Sequence, residues 1–424
     1  MRRHIYSSVG VLACVCVLLL SFPASLSAAA ACTGPKITTK VANTNDGQSI
    51  RSPSELSAAI KKAKGGETFV LEGGNYGSLK IKKAFRKPVT IRSATSGSPA
   101  CFTELRLDRA GNVTLDGLVF DYAYSPGDKD SVNPFSITDS HRITIANSVF
   151  DGDHNSGVGH GRGLRFKGSS SVSILNNTFR KWWKAVTGGH GTDIVLKGNE
   201  IYDIRSDGMG FGGIEGLLVE GNRLHNFRGV PNRDHRDMIQ IMRGSGLRSS
   251  DIVIRDNVFD IGRGDYTQTI FIGSSGKNMN DPQLRHQNVL IENNVIYNAH
   301  VHGISVDGID NLSIRKNSII RVRRAKDGGI TIPRINIASS RHVVIEQNVV
   351  SGIKGFENQR DWVVLNNAIV QDQSPSAQGY YDREFIYYAT GAENGFHEYG
   401  VRPGSQTERL NAGSSLVKNY PTRR

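Results

Sequence analysis

Cysteine is scarce, with four in 424 residues. Cys14 and Cys16 fall in an apolar leader, which leaves Cys32 and Cys101, and nothing here suggests a metal site built from thiolates. Acidic side chains are also in deficit: 39 Asp and Glu face 52 Lys and Arg, a formal charge of +13. Long apolar runs are missing beyond residues 9–23, so no stretch is suited to crossing a bilayer and no membrane span is expected.

The leader has its own grammar. Arg2 and Arg3 precede the apolar run, and the small residues of 27–31 follow it, the layout of a cleaved secretory signal over residues 1–31. The expected location is secreted or periplasmic. Removing Arg2 and Arg3 takes the charge from +13 to +11 (13 − 2). In an oxidising compartment a disulfide between Cys32 and Cys101 is the first reading; a lipidated Cys32 is the alternative, although the preceding AAA lacks the usual Leu. A basic exported chain attracts polyanions, and outside the cytoplasm that means acidic polysaccharide and not nucleic acid. Solubility or weak surface adhesion would explain the charge equally simply.

A repeat dominates the rest. The chain reads LLVEGNRLHNF from residue 217, DIVIRDNVFDI from 251, NVLIENNVIYN from 288, NLSIRKNSIIR from 311 and HVVIEQNVV from 342. Each copy holds two aliphatic residues one apart, two mostly polar residues, an Asn and another apolar residue. The marker recurs as Asn177, Asn199, Asn222, Asn257, Asn294, Asn317, Asn348 and Asn367, with Ser148 and Leu118 in its place upstream, at separations of 19 to 37 residues. The alternation is that of a strand with one buried face. An Asn at the turn tolerates a left-handed backbone and bonds local main-chain groups, and stacked copies can bond each other. The leucine-rich frame LxxLxLxxN, of similar period, is absent. The pattern resembles the right-handed parallel β-helix proteins of the pectate-lyase-like superfamily, which implies an all-β solenoid, here a monomer.

The expected organisation is an N-terminal arm and capping helix over 32–66, the β-helix over 67–371, and a C-terminal coil and cap over 372–424. Ser52, Pro53 and Glu55 form a capping box with Pro at the first helical position, and Leu56, Ala59, Ile60 and Ala63 line one side. Tyr380, Tyr381, Phe385, Tyr387 and Tyr388 are dense enough to plug the far end of the core. Of Trp182 and Trp183, adjacent on a strand, one is expected in the core and one outside.

Upstream of each marker lies a second strand. Aligning its aliphatic residues puts Arg165, Gly210, Gln240, Phe271, Ser305 and Thr331 in one outward row, with Arg162, Asp207, Asp237, Gln268 and His302, and also Lys184, at the start of the same strands. Neighbouring coils are about 4.8 Å apart, so such columns meet as one pocket. The longest coils, between Asn222 and Asn294, insert their extra residues beside this face, where a solenoid usually carries its function.

There Asp234, His235, Arg236 and Asp237 gather two carboxylates, an imidazole and a guanidinium, with Arg243, Tyr266, Lys277, His300 and His302 close by in the stack. Chemistry on a uronic acid needs a cation to neutralise the C6 carboxylate, a base for the C5 proton and an acid for the leaving O4 or for reprotonation. The resemblance extends to polysaccharide lyases and mannuronan C5-epimerases. The epimerases carry a D-P-H-D or D-P-H-E core, whereas this chain has the same residue types in the order D-H-x-D. The reading is a lyase or C5-epimerase acting on a uronic-acid polymer such as alginate. His235 or His302 serves as base or acid, with Asp237 beside them. Arg236 or Arg243 is the carboxylate clamp, and Tyr266 or Lys277 the second proton carrier. Arg165, Lys184, Asp207, Asp234, Gln240 and His300 contact substrate. A β-helix glycoside hydrolase using Asp207 and Asp237, or a non-catalytic polysaccharide-binding surface protein, are the alternatives. The cofactor is left open, since Asp207 and Asp237 are also of the type that holds Ca2+.

Overall fold

The computed structural model describes Cys32 and residues 37–41, 46–155, 157–230, 234–244, 246–273, 281–322, 332–391 and 395–418. Its body is a parallel β-helix of three faces. Asp237–Met242, Gln268–Gly273 and His302–Asp307 stack on the first face, Ser250–Arg255, His286–Glu292 and Ile309–Arg315 on the second, and Val258–Asp260 and Val295–Asn298 on the third. Lys184–Lys197 and Met209–Glu220 run through the first two faces unbroken, which joins them into one sheet of 22 strands among the described residues; the third face is a sheet of 12. Inward aliphatic residues repeat coil on coil, as Ile239, Ile270, Ile304 and Ile335 do, and fill one continuous core.

The marker asparagines form a ladder inside the turn between the second and third faces. Asn222 donates from its main-chain N to Asn257 Oδ1 at 2.9 Å and from Nδ2 to the same oxygen at 3.0 Å, and Asn257 repeats both bonds to Asn294. The series runs from Asn177 to Asn367, and upstream Ser148 takes part through its hydroxyl. One expectation is corrected here. The left-handed residue is the one before each marker, such as Asn176, Asp256, Asn293 and Asn366, while the marker points inward and is satisfied there.

The helix Pro53–Lys62 forms where the capping box placed it. Ser52 Oγ accepts from the Glu55 main chain at 3.2 Å, Glu55 accepts from Arg51 N at 2.7 Å, and Leu56 and Ala59 are buried against the first coil. A strand assigned to the arm, Gln48–Ile50, already pairs in parallel with Thr68–Leu71. Cys32 and Cys101 are joined in a disulfide. Trp182 is core and Trp183 lies partly outside.

The C-terminal aromatics do not plug the core. Tyr381, Phe385 and Tyr399 pack with Val295, Tyr297, Ile320 and Val349 in a cluster separate from the main core, on the outside of the third face, whereas Tyr387 and Tyr388 stay exposed. The last strand of the large sheet, Trp362–Leu365, keeps Val363, Val364 and Leu365 exposed. Aromatic density identified burial, and the outward apolar residues of the third face supplied the partner.

Among the described residues, no helix is long and apolar enough to cross a membrane.

Candidate functional site

The outward row of the first face is real, with one member exchanged. Ser136, Arg165, Thr187, Gly210, Gln240, Phe271, Ser305 and Asn336 are successive register partners. Asn336, on Arg334–Ala338, holds the place expected for Thr331, which lies outside the described residues. At the strand starts Arg162 pairs with Lys184 and Asp237 with Gln268, and the same register sets Asp207 between Lys184 and Asp237, and His302 above Gln268.

A row of polar contacts crosses five of these coils. Lys184 Nζ is ion-paired with Asp207, which is buried, and burial pushes the Asp207 carboxyl up against the pull of Lys184. Asp237 is fully buried; its Oδ2 accepts from His235 Nδ1 at 2.9 Å and from Gln240 Nε2 at 2.8 Å. His235 itself is 64% exposed, and the bond to Asp237 raises its pKa above the usual imidazole value. Gln268 Nε2 then meets His235 Nε2 at 2.8 Å, and Gln268 Oε1 meets His302 Nδ1 at 2.7 Å. Burial lowers the His302 pKa.

The tautomers follow from this wiring. His235 carries its proton on Nδ1, for Asp237, and accepts from the amide on Nε2. His302 donates from Nδ1 to the amide oxygen, which leaves its Nε2 as an unprotonated nitrogen that no described residue engages. His300, whose ring lies tilted against Tyr266 with centroids 4.1 Å apart, accepts from the His302 main chain on Nδ1 at 3.0 Å, and burial drives its pKa down to about 3. It buttresses His302 as a neutral ring.

Several expected roles move. Arg236 turns away from the face: its Nε and Nη2 donate to the Tyr266 carbonyl at 3.0 and 2.7 Å, so it braces a loop and is no clamp. Asp234 is bound to buried Arg205 at 2.9 Å and to Val230 N at 2.8 Å, which takes it out of contact with substrate. Arg243 lies past the opposite end of the strand, six residues from Asp237 or roughly 20 Å at strand rise, and influences His286. Lys277 lies outside the described residues. Cations on the face include Arg165, exposed, Arg334, the register partner of His302, and Arg162 and Lys184, which flank the Trp183 ring at 5.2 and 5.0 Å. The sequence sets Gln268 in the column but assigns it no task, since a neutral amide signals no chemistry by itself.

Beside these groups the floor is bare. A Cβ on Gly210 would meet nothing nearer than Thr187 Cγ2 at 3.8 Å, and one on Gly189 nothing nearer than the Gly212 carbonyl at 3.4 Å. Packing does not require glycine at either place. As for Ca2+, Asp207 is ion-paired with Lys184, and Asp237 engages His235 and Gln240 through Oδ2 while its buried Oδ1 has no hydrogen-bond partner among the described residues. Among the described residues the grouping of three convergent donors is Cys32, Cys101 and Asp121, whose sulfurs are joined to each other.

Residues 133–286 match the family model of the right-handed β-helix region. No curated protein matches the chain. Among solved structures the chain is similar to a PL6 family alginate lyase, AlyGC, at 14% identity and a TM-score of 0.44, over 88% of this chain and 57% of that one. It is also similar to PfbA, a surface adhesin of Streptococcus pneumoniae (12%, 0.41, covering 86% and 98%), and to the catalytic domain of a GH87 alpha-1,3-glucanase (13%, 0.40, covering 79% and 70%). This chain thus spans little more than half the length of the first of these. The resemblance drawn from the repeat holds at the level of fold.

Proposed function

We propose that the chain is an exported, carbohydrate-active enzyme that takes the C5 proton from a uronic-acid polysaccharide, with His302 as the base. The observation that carries this reading is the His302 ring: neutral, fixed with its proton on Nδ1, with Nε2 engaged by no described residue and with Arg334 as its register partner on the next coil. A base of this kind is competent near neutral pH, and Arg334, its register partner on the next coil, is the cation placed to stabilise the negative charge that develops on the C6 carboxylate as the proton leaves. Arg162, Arg165 and Lys184 stand four or five coils away, roughly 19–24 Å, where further sugars of a bound polymer would lie. One carrier suffices for elimination: the proton taken at C5 passes to the departing O4 on the same side of the sugar. Epimerisation needs a second carrier on the opposite side, so the lyase is the preferred form. Asp207 and Asp237 are buried, which argues against their use as the paired carboxylates of a hydrolase.

Incubation with alginate, pectate and glucuronan tests the proposal. A lyase yields the ultraviolet absorbance of an unsaturated uronate, and His302→Gln abolishes it. Altered polymer NMR without absorbance indicates an epimerase, and new reducing ends without absorbance a hydrolase. Binding without turnover on every polymer overturns the enzymatic reading.

A further inference from the structure

The bonded row contains a neutral amide between two imidazoles, and an amide has one donor end and one acceptor end. That asymmetry has a chemical result. With His235 neutral, Asp237 holds its proton on Nδ1, so Nε2 must accept, and the Gln268 amide turns its NH2 to His235 and its oxygen to His302. His302 must then donate from Nδ1 and keep Nε2 as a lone pair.

When His235 takes up a proton, both its ring nitrogens become donors. Nδ1 still serves Asp237. Nε2 now needs an acceptor, which only the oxygen end of Gln268 can offer within this row. The amide therefore rotates by half a turn and presents its NH2 to His302 Nδ1. That nitrogen must accept, so the His302 proton moves to Nε2 through solvent. The proton count closes: His235 gains one, and His302 keeps one at a new position.

We propose that Gln268 is a positioning residue that ties the tautomer of His302 to the charge on His235, so that protonation of His235 withdraws the reacting nitrogen of His302. The proposal rests on His302 as the reacting base only for its consequence in activity; the tautomer link stands on the wiring alone. The charged and titratable groups around the pair are Asp237, Asp207 and Lys184 on the His235 side. On the His302 side they are Asp237, His235, His300 with Arg236 and Tyr266 behind it, and Arg334 on the next coil. None of them stands between Gln268 and either ring. His235 titrates higher than usual and His302 lower, so the link operates in a pH window where His302 has not itself gained a proton.

The acid limb of activity accordingly belongs to His235. Gln268→Leu cuts the link, and the limb should move to lower pH, toward the titration of His302 itself, which simple damage to the site would not produce. The direct test is 15N NMR of histidine-labelled protein without substrate, which is independent of any activity. In the wild type, His302 should change from the Nδ1–H to the Nε2–H form as His235 becomes charged. In Gln268→Leu the two events should separate. In Gln268→Glu, whose carboxylate accepts from both rings, His302 should stay Nδ1–H throughout, and this variant serves if the Leu variant does not fold. A wild-type His302 that remains Nδ1–H while His235 titrates, or a Gln268→Leu protein that switches as the wild type does, overturns the link. A clean switch in a protein with no activity on any uronate would retain the link and reject the proposed reaction.

Discussion

Arg205 donates from Nη1 and Nη2 to the two carboxylate oxygens of Asp130, 75 residues earlier in the chain, at 2.8 and 3.1 Å. Its Nε donates to Asp234 at 2.9 Å, so one fully buried guanidinium clamps two loops that precede strands of the first face. Arg205→Met removes the guanidinium that both carboxylates share, although Asp130 keeps its contact with His160 Nδ1 at 3.0 Å. Breaking such a pair costs about 3–5 kcal/mol, which denaturant unfolding would read. A variant as stable as wild type would show that the loops hold without the clamp.

His302→Gln keeps the side chain's size and polarity but removes the basic nitrogen. The turnover rate on the preferred polymer should fall by about 10²–10⁴-fold, with the unfolding midpoint little changed. A loss of less than tenfold would move the base elsewhere.

His300 gives the fold a pH signature. Its pKa is about 3 in the folded chain against an ordinary 6.5, because burial disfavours the charged ring. The unfolded chain therefore binds the proton first as pH falls. The stability His300 contributes is fully present above 6.5, declines below it and is gone once pH has passed through about 3. Thermal melts of His300→Phe should show a flatter dependence over that window than wild type. Parallel curves would assign the acid sensitivity to other groups.

How far this was readable beforehand depends on whether a residue sits in a periodic strand. Arg165, Gly210, Gln240, Phe271 and Ser305 were aligned correctly because each lies a fixed step from buried aliphatic residues of its own coil. The place expected for Thr331 is held by Asn336, because GGITIPR imitates that alternation and the pairing strand is Arg334–Ala338. The expected clamp role of Arg236 and substrate contact of Asp234 rest on residue type in the string around His235, but loop side chains obey no period, and both turn back to hold loops. Gln268 gained its task only from distances on either side of its amide, which no spacing rule contains.

Asn257→Ala tests the ladder. It strips the acceptor from Asn222 N and Nδ2 and the donor from the Val219 carbonyl, all in buried surroundings. The expected cost is about 1–3 kcal/mol by denaturant unfolding. Asn367→Ala, at the partly exposed end of the ladder, should cost less because water replaces the lost bonds. Equal costs would mean that burial does not set the ladder's worth.

Gly210→Val probes the bare floor. The nearest neighbour of the new Cβ is a methyl at 3.8 Å, so the melting temperature should hold. A sugar lying on that floor should be displaced, with KM raised tenfold or more if the branched side chain removes one or two contacts worth about 1.4 kcal/mol in all. Unchanged KM would put the polymer's path elsewhere.

Consecutive ladder residues are separated by as few as 19 and as many as 37 positions, yet the amide-to-amide contact is the same throughout. Whatever chain length a turn of the spiral spends on excursions is invisible to the posts that carry it. Recognition segments can therefore lengthen, shorten or be exchanged one storey at a time, leaving the storeys above and below in register.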